Sequence, residues 1–190
     1  MNRLQKGACQ SLDARFASRP HVYARLQSIA DLMDKAIAEG HTADEAEAMA
    51  IEQIQQLGQE LLTDWAQEKQ SQSVRRAKAK HPQASQHIKK VKWFTTFGAV
   101  EVCEQVLRLS RRGAQLRPFC TEAAVQHRGC SRRLQRVLVD FGAEGSFQAA
   151  ALRVREHYEI SVAPTAVRRQ TFKHGRAIDA MPVVKAPFQG

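Results

Sequence analysis

A chain of 190 residues, 43% of them hydrophobic, can bury one good core or two small ones and is too apolar to be a disordered protein. Its 29 Lys and Arg against 19 Asp and Glu give a net charge of +10, and the excess is segregated. Residues 1–70 hold 7 basic and 11 acidic side chains, a net of −4, while residues 71–190 hold 22 and 8, a net of +14. A basic half of that strength attracts phosphate backbones through counterion release. An anionic membrane is the weaker alternative, because no basic helix carries a broad Trp, Phe and Leu face.

Met1 to Pro20 shows little periodicity and is expected to be a lead-in with one short helix around Leu12 to Phe16. It lacks the charged-then-apolar pattern of a leader, and no apolar run is long enough to span a bilayer, so a cytoplasmic, nucleoid-associated setting is expected. Val22 to Glu39 reads as a helix with Leu26, Ile29, Ala30, Met33 and Ile37 along one face, ended by Gly40. Thr42-Ala43-Asp44-Glu45 is a capping box that opens a second helix bearing Ala46, Met49, Ala50, Ile54, Leu57, Leu61, Leu62 and Trp65. Residues 1–70 are thus expected to form an acidic helical hairpin that meets protein rather than DNA. The width of its apolar stripe raises homodimerisation through residues 22–66.

From residue 71 to 92 the pattern dissolves into Gln, Ser, Lys and Arg, punctuated by Pro82. Two readings stand side by side: a solvated linker or frayed helix extension, and a basic arm laid on phosphates through Arg75, Arg76, Lys78, Lys80, Lys89 and Lys90. Residues 93–120 are the β region, a hairpin or meander. One strand ends near Phe97, Gly98 makes the turn, a second strand spans Ala99 to Leu109, and a third is expected at Leu116 to Phe119 beyond a turn at Arg111-Arg112-Gly113-Ala114-Gln115.

Cysteines 9, 103, 120 and 130 contain no CxxC pair, so reduced thiols are the default. A Cys–His metal site of Cys120, His127 and Cys130 is the weaker alternative, because these residues lack the two closely spaced ligand pairs of a zinc site. No metal, cofactor or small-molecule substrate is expected.

Ser131 is a natural cap for a helix burying Leu134, Val137, Leu138 and Phe141, with Gly142 and Gly145 separating it from the next pair of helices. Ser146 to Arg176 then has the form of a helix-turn-helix. Phe147, Ala150, Ala151, Val154 and Tyr158 share one side of its first helix, and Ile160 and Val162 suit the angle between two crossing helices. Pro164 begins the second helix, Ala166 and Val167 face inward, and Arg168, Arg169, Gln170 and Lys173 supply outward groups, with Gly175 as terminator. A recognition helix in the major groove needs this pairing of a small apolar anchor with outward Arg, Gln, Thr or Lys. Residues 128–178 are read as a three-helix DNA-binding domain and 179–190 as a tail. The whole is mainly α with a small β element.

Phe97-Gly98 within TTFGAVEV, the stretch Arg128-Gly129-Cys130-Ser131, the segment Leu138 to Ser146, and Val167-Arg168-Arg169 occur in an order that resembles the N-terminal region of bacterial insertion-sequence transposases of the Kra type, related to the Lre type. The resemblance covers roughly Trp93 to Arg176. It implies a protein that binds double-stranded DNA at the ends of a mobile element during transposition. Within that implied role Thr165, Arg168 and Arg169 would contact base edges or nearby phosphates. Lys173, Arg132, Arg133 and Arg136 would hold the backbone, with Lys89 and Lys90 on the basic arm.

Similar transposases cut DNA with three acidic residues that hold Mg²⁺ in a downstream ribonuclease-H-like domain. The basic half here has only Glu101, Glu104, Glu122, Asp140, Glu144, Glu156, Glu159 and Asp179. None falls beside a second acid on a central strand: Glu104, three residues after Glu101, faces the other side of a strand. Asp140 and Glu144 near Arg136 read as a surface ion-pair patch. The expectation is a DNA-binding portion with no nuclease activity of its own, not an enzyme by itself. The alternative is a stand-alone interaction protein or inhibitor that forms mixed oligomers with a full-length transposase.

Overall fold

The computed structural model describes residues 17, 19–110 and 113–180. Expectations for Leu12 to Phe16, for the Arg111-Arg112 turn and for residues 181–190 lie outside the described residues. The protein is mainly helical with a small three-stranded antiparallel sheet. The elements run α1 (Pro20–Ala38), α2 (Ala43–Lys80), β1 (Ser85–Thr95), β2 (Gly98–Arg108), β3 (Gln115–Leu116), α3 (Pro118–Glu122), α4 (Arg132–Glu144), α5 (Phe147–Tyr158) and α6 (Pro164–Asp179). Two compact units divide the chain between Trp65 and Ala66, a point inside α2.

The first unit is the expected hairpin of helices. Pro20 takes the first position of α1, and Gly40 adopts φ +70°, a left-handed conformation that glycine enters without steric cost. The capping box forms: the Thr42 amide donates to the Glu45 carboxylate at 2.8 Å and the Glu45 amide to Thr42 Oγ1 at 3.4 Å. The two helices are laced antiparallel by His21–Asp64 at 2.6 Å and by Arg25, whose Nε and Nη2 reach Glu60 at 3.0 and 2.5 Å. Leu26, Ile54 and Leu61 nevertheless stay between 38% and 53% exposed.

The second unit corrects the linker reading of residues 71–92. Helix α2 continues to Lys80 and β1 starts at Ser85, leaving only residues 81–84 between them. Ala66, Ser73, Val74 and Ala77 form a narrow buried face at helical spacing, while the charged residues occupy the rest of the circumference. The small size of these residues hides the stripe from a reading based on bulky apolar residues. Lys89 and Lys90 therefore sit on a strand, not on an arm.

The sheet has the order β1-β2-β3. Pairing runs from Ser85↔Arg108 to Thr95↔Gly98, so β1 begins eight residues before Trp93, and Thr96-Phe97 is a two-residue turn. Gly98 at φ +103° closes it, helped by Thr95 Oγ1, which donates to the Gly98 carbonyl and accepts from the Phe97 amide. The third strand is only Gln115–Leu116; Pro118 converts the expected Leu116–Phe119 strand into α3 by taking its first helical position. Val91, Trp93, Val100, Val102, Glu104 and Val106 share one face of the hairpin and are buried. Trp93 packs against Phe119 of α3, with ring centroids 5.8 Å apart.

Helices α4, α5 and α6 enclose a core of Leu134, Leu138, Ala150, Ala151, Val154 and Val167. Ser131 and Ser146 cap α4 and α5, accepting from the Leu134 and Ala149 amides at 3.1 Å. The chain before α4 is stitched to β1: the Phe94 amide donates to the Gly129 carbonyl at 2.9 Å, and the Ser131 amide to the Phe94 carbonyl at 2.8 Å. Phe94 and Cys130 also pack on the helical core, so the hairpin and the three helices form one body.

Two glycines depart from expectation. Gly142 is no separator but a buried residue of α4, and a Cβ built on it would lie 2.3 Å from Thr171 Oγ1 and 2.9 Å from Val167 Cγ1. Its missing side chain is what lets α6 cross α4 so closely. Gly175 does not terminate α6, which continues to Asp179 because its neighbours keep the hydrogen-bonded ladder going.

Candidate nucleic-acid interface

Helix α6 follows α5 through the residues 159–163, with Glu159 in the left-handed conformation at φ 54° turning the chain. Val167 is fully buried and anchors α6 to the core. Gln170, three residues on, is also buried at 6% exposure and is not an outward group. Its Oε1 finds no partner among the described residues. Its inward direction follows from the three-residue step from Val167, which outweighs its polarity.

Thr165, Arg168, Arg169 and Lys173 are exposed, and Arg176 joins them. They recur at three- and four-residue steps and so lie on one side of α6. Reading Gly175 as a terminator concealed Arg176; the same spacing carried one turn further would have found it. Arg132 and Arg133 lie exposed in the first turn of α4. His174 Nε2 on α6 lies 3.1 Å from Gln135 Oε1 at the start of α4, which brings the two into one neighbourhood, and Arg169 and Lys173 act electrostatically on Cys130, two residues before that turn. Burial still outweighs those two cations and pushes the Cys130 thiol up.

None of Arg132, Arg133, Arg168, Arg169, Lys173 and Arg176 forms an ion pair with a described residue. Four acids of this unit are paired with other cations. Glu101 binds Lys90 and, at 3.0 Å, Lys92; Glu104 binds Arg117 at 2.9 Å; Glu122 binds Arg76 and, at 3.2 Å, Lys69; Glu144 binds Arg153 at 2.6 Å. Six cations without an ion pair thus lie on α6 and the first turn of α4, while Arg75, Lys80, Arg108, Arg128 and Arg155 are likewise exposed and unpaired with any described acid elsewhere in the unit.

Three other candidates fall outside that patch. Arg136 is exposed but faces Asp140 at 3.6 Å, within the surface patch expected of Asp140, Glu144 and Arg136. Lys90 is engaged by Glu101, and Lys89 donates to Gln115 Oε1 at 3.0 Å. Both lysines lie four to five residues from Phe94, roughly 13–17 Å along the strand from its contact with Cys130.

The Cys120, His127 and Cys130 group is dispersed. Cys120 Sγ donates to Glu104 at 3.3 Å, and burial first, then that carboxylate, pushes its thiol up to about 12. His127 Nδ1 accepts from the Lys92 amide at 3.2 Å. Among the described residues no three His, Cys, Asp or Glu side chains are grouped to hold a metal ion, and no helix is long and apolar enough to cross a membrane. No family model and no curated protein matches the chain.

Proposed function

We propose that the second unit binds double-stranded DNA with α6 in the major groove, and that the chain is the DNA-binding portion of a transposase, recognising the ends of a mobile element. One observation carries this reading: Thr165, Arg168, Arg169 and Lys173 share an exposed face on the second helix of a helix-turn-helix, and no described acid neutralises its cations. Arg132 and Arg133, beside that face, suit phosphate contact. The identity of the DNA as element ends rests on the transposase resemblance. In this reading the chain recognises DNA and supplies no nuclease activity of its own.

The test is selection of bound duplexes from a randomised pool at about 50 and about 200 mM salt. A single sequence that survives the higher salt supports specific recognition by α6. Motif-free binding that vanishes with salt rejects it and leaves an electrostatic grip.

A second reading, an interaction protein that forms mixed oligomers with a full-length transposase, is favoured by Leu26, Ile54 and Leu61, which remain exposed on the acidic first unit. The same surface serves homodimerisation. Replacing Ile54 and Leu61 by Glu would abolish activity under this reading, while Arg168→Ala and Arg169→Ala would leave it intact. Light scattering on the eluted protein reads the oligomeric state directly.

A further inference from the structure

The side of α6 that carries the cations also carries an aromatic ring. Phe172 lies four residues after Arg168, three after Arg169, seven after Thr165 and four before Arg176, so it sits in the middle of their face. It is 49% exposed, on the side of α6 opposite the buried Val167. A ring left half in water among arginines is not explained by the core, which Val167 closes without it.

Its position is held from two sides. The Arg168 guanidinium lies 5.4 Å from the ring centroid, and the Phe147 ring meets it edge-on at 5.9 Å. The ring is thereby presented in a fixed orientation beside a guanidinium able to hydrogen-bond a base edge. In the major groove, the one apolar group on any base edge is the 5-methyl of thymine, and Phe is a side chain suited to contact it.

We propose that Phe172 is a specificity-determining residue that reads the 5-methyl group of a thymine next to the base or phosphate engaged by Arg168. This inference rests on the DNA-binding reading and adds a base to it. The hydrogen-bonding face of α6 would select its bases by donors, and Phe172 would select one by an apolar contact that no donor can supply.

The test uses the full chain and the duplex obtained by selection, with each thymine replaced in turn by uracil, which lacks only the methyl. The expected result is one thymine position per binding site where uracil weakens binding about fourfold, the weight of one methyl group withdrawn from water. Phe172→Ala should bind the thymine and uracil duplexes equally at that position, with its helix content unchanged by circular dichroism. Equal binding of the wild-type chain to every thymine and uracil duplex overturns the inference while leaving duplex recognition standing. Retained discrimination in Phe172→Ala overturns it equally. Failure to bind any selected duplex overturns the DNA reading itself, and the thymine contact with it. The wild-type comparison needs no variant, so the inference can be overturned even if Phe172→Ala does not fold.

Discussion

Glu104 lies entirely out of water on β2, and Arg117 reaches one of its carboxylate oxygens with both Nε and Nη2 at 2.9 Å. The other oxygen accepts from the Cys120 amide at 2.9 Å, so a single carboxylate fixes α3 against the hairpin. Removing one partner of such a pair costs more than never having had it, because the remaining charge stays buried without compensation.

Arg117→Ala should therefore destabilise the second unit by about 3 kcal/mol. A Glu104→Leu, Arg117→Leu double variant should recover more than half of that loss. Urea unfolding followed by tryptophan fluorescence reports it, since Trp93 packs on Phe119 of the same helix. A loss under about 0.5 kcal/mol would mean that the pair is a surface-like one.

Two glycines of the helical domain should respond oppositely to alanine. Gly142→Ala forces a Cβ to within 2.3 Å of Thr171 Oγ1 and should cost about 1–3 kcal/mol, despite the better helix propensity of alanine. Gly175→Ala meets nothing within 4 Å inside a continuous helix and should stabilise by about 0.5–1 kcal/mol. Thermal melts of the two variants against wild type check both signs.

Acid should loosen the second unit. Glu122 accepts from Arg76, Ser73 and Lys69, and these hydrogen bonds lower its carboxyl to about 2. A depressed carboxylate contributes stability that is fully present above its unfolded value near 4.5 and is lost as pH falls through about 2. Stability should thus decline between roughly pH 5 and pH 2. Glu122→Gln should flatten the decline over that window and lower stability at pH 7. An unchanged pH slope in the variant would assign acid sensitivity to other carboxylates.

On DNA, Arg168→Ala or Arg169→Ala should each cost about 1–3 kcal/mol on the selected duplex if the contact is bidentate to a base. Scrambled duplex should be less affected. Arg132→Ala and Arg133→Ala should weaken both duplexes alike and lower the salt dependence by about one ion each. Equal weakening of both duplexes by the Arg168 and Arg169 variants would reduce α6 to phosphate contact. Titration by fluorescence anisotropy at several salt concentrations separates these outcomes.

What the chain displays without a structure is whatever depends on neighbours within a turn or two. The Thr42–Glu45 box, the Ser131 and Ser146 caps, Pro164 at the start of α6 and the buried stripe of α4 all act over three or four residues, and each is legible in the order of residues. Thr165, Arg168, Arg169 and Lys173 are legible for the same reason, since helical spacing alone brings them to one face.

Tertiary structure decided what depends on distant partners. Residues 71–80 are helical because Ser73, Val74 and Ala77 are buried, and residues 85–92 are a strand because β2 offers them matching backbone groups. Gly142 is an approach point only because Thr171 crosses there, and Glu104 is tolerated in the core only because Arg117 arrives from beyond the sheet. Local hydrogen bonds and caps are set by adjacent residues; burial of a small, polar or charged side chain depends on what the rest of the chain brings to it.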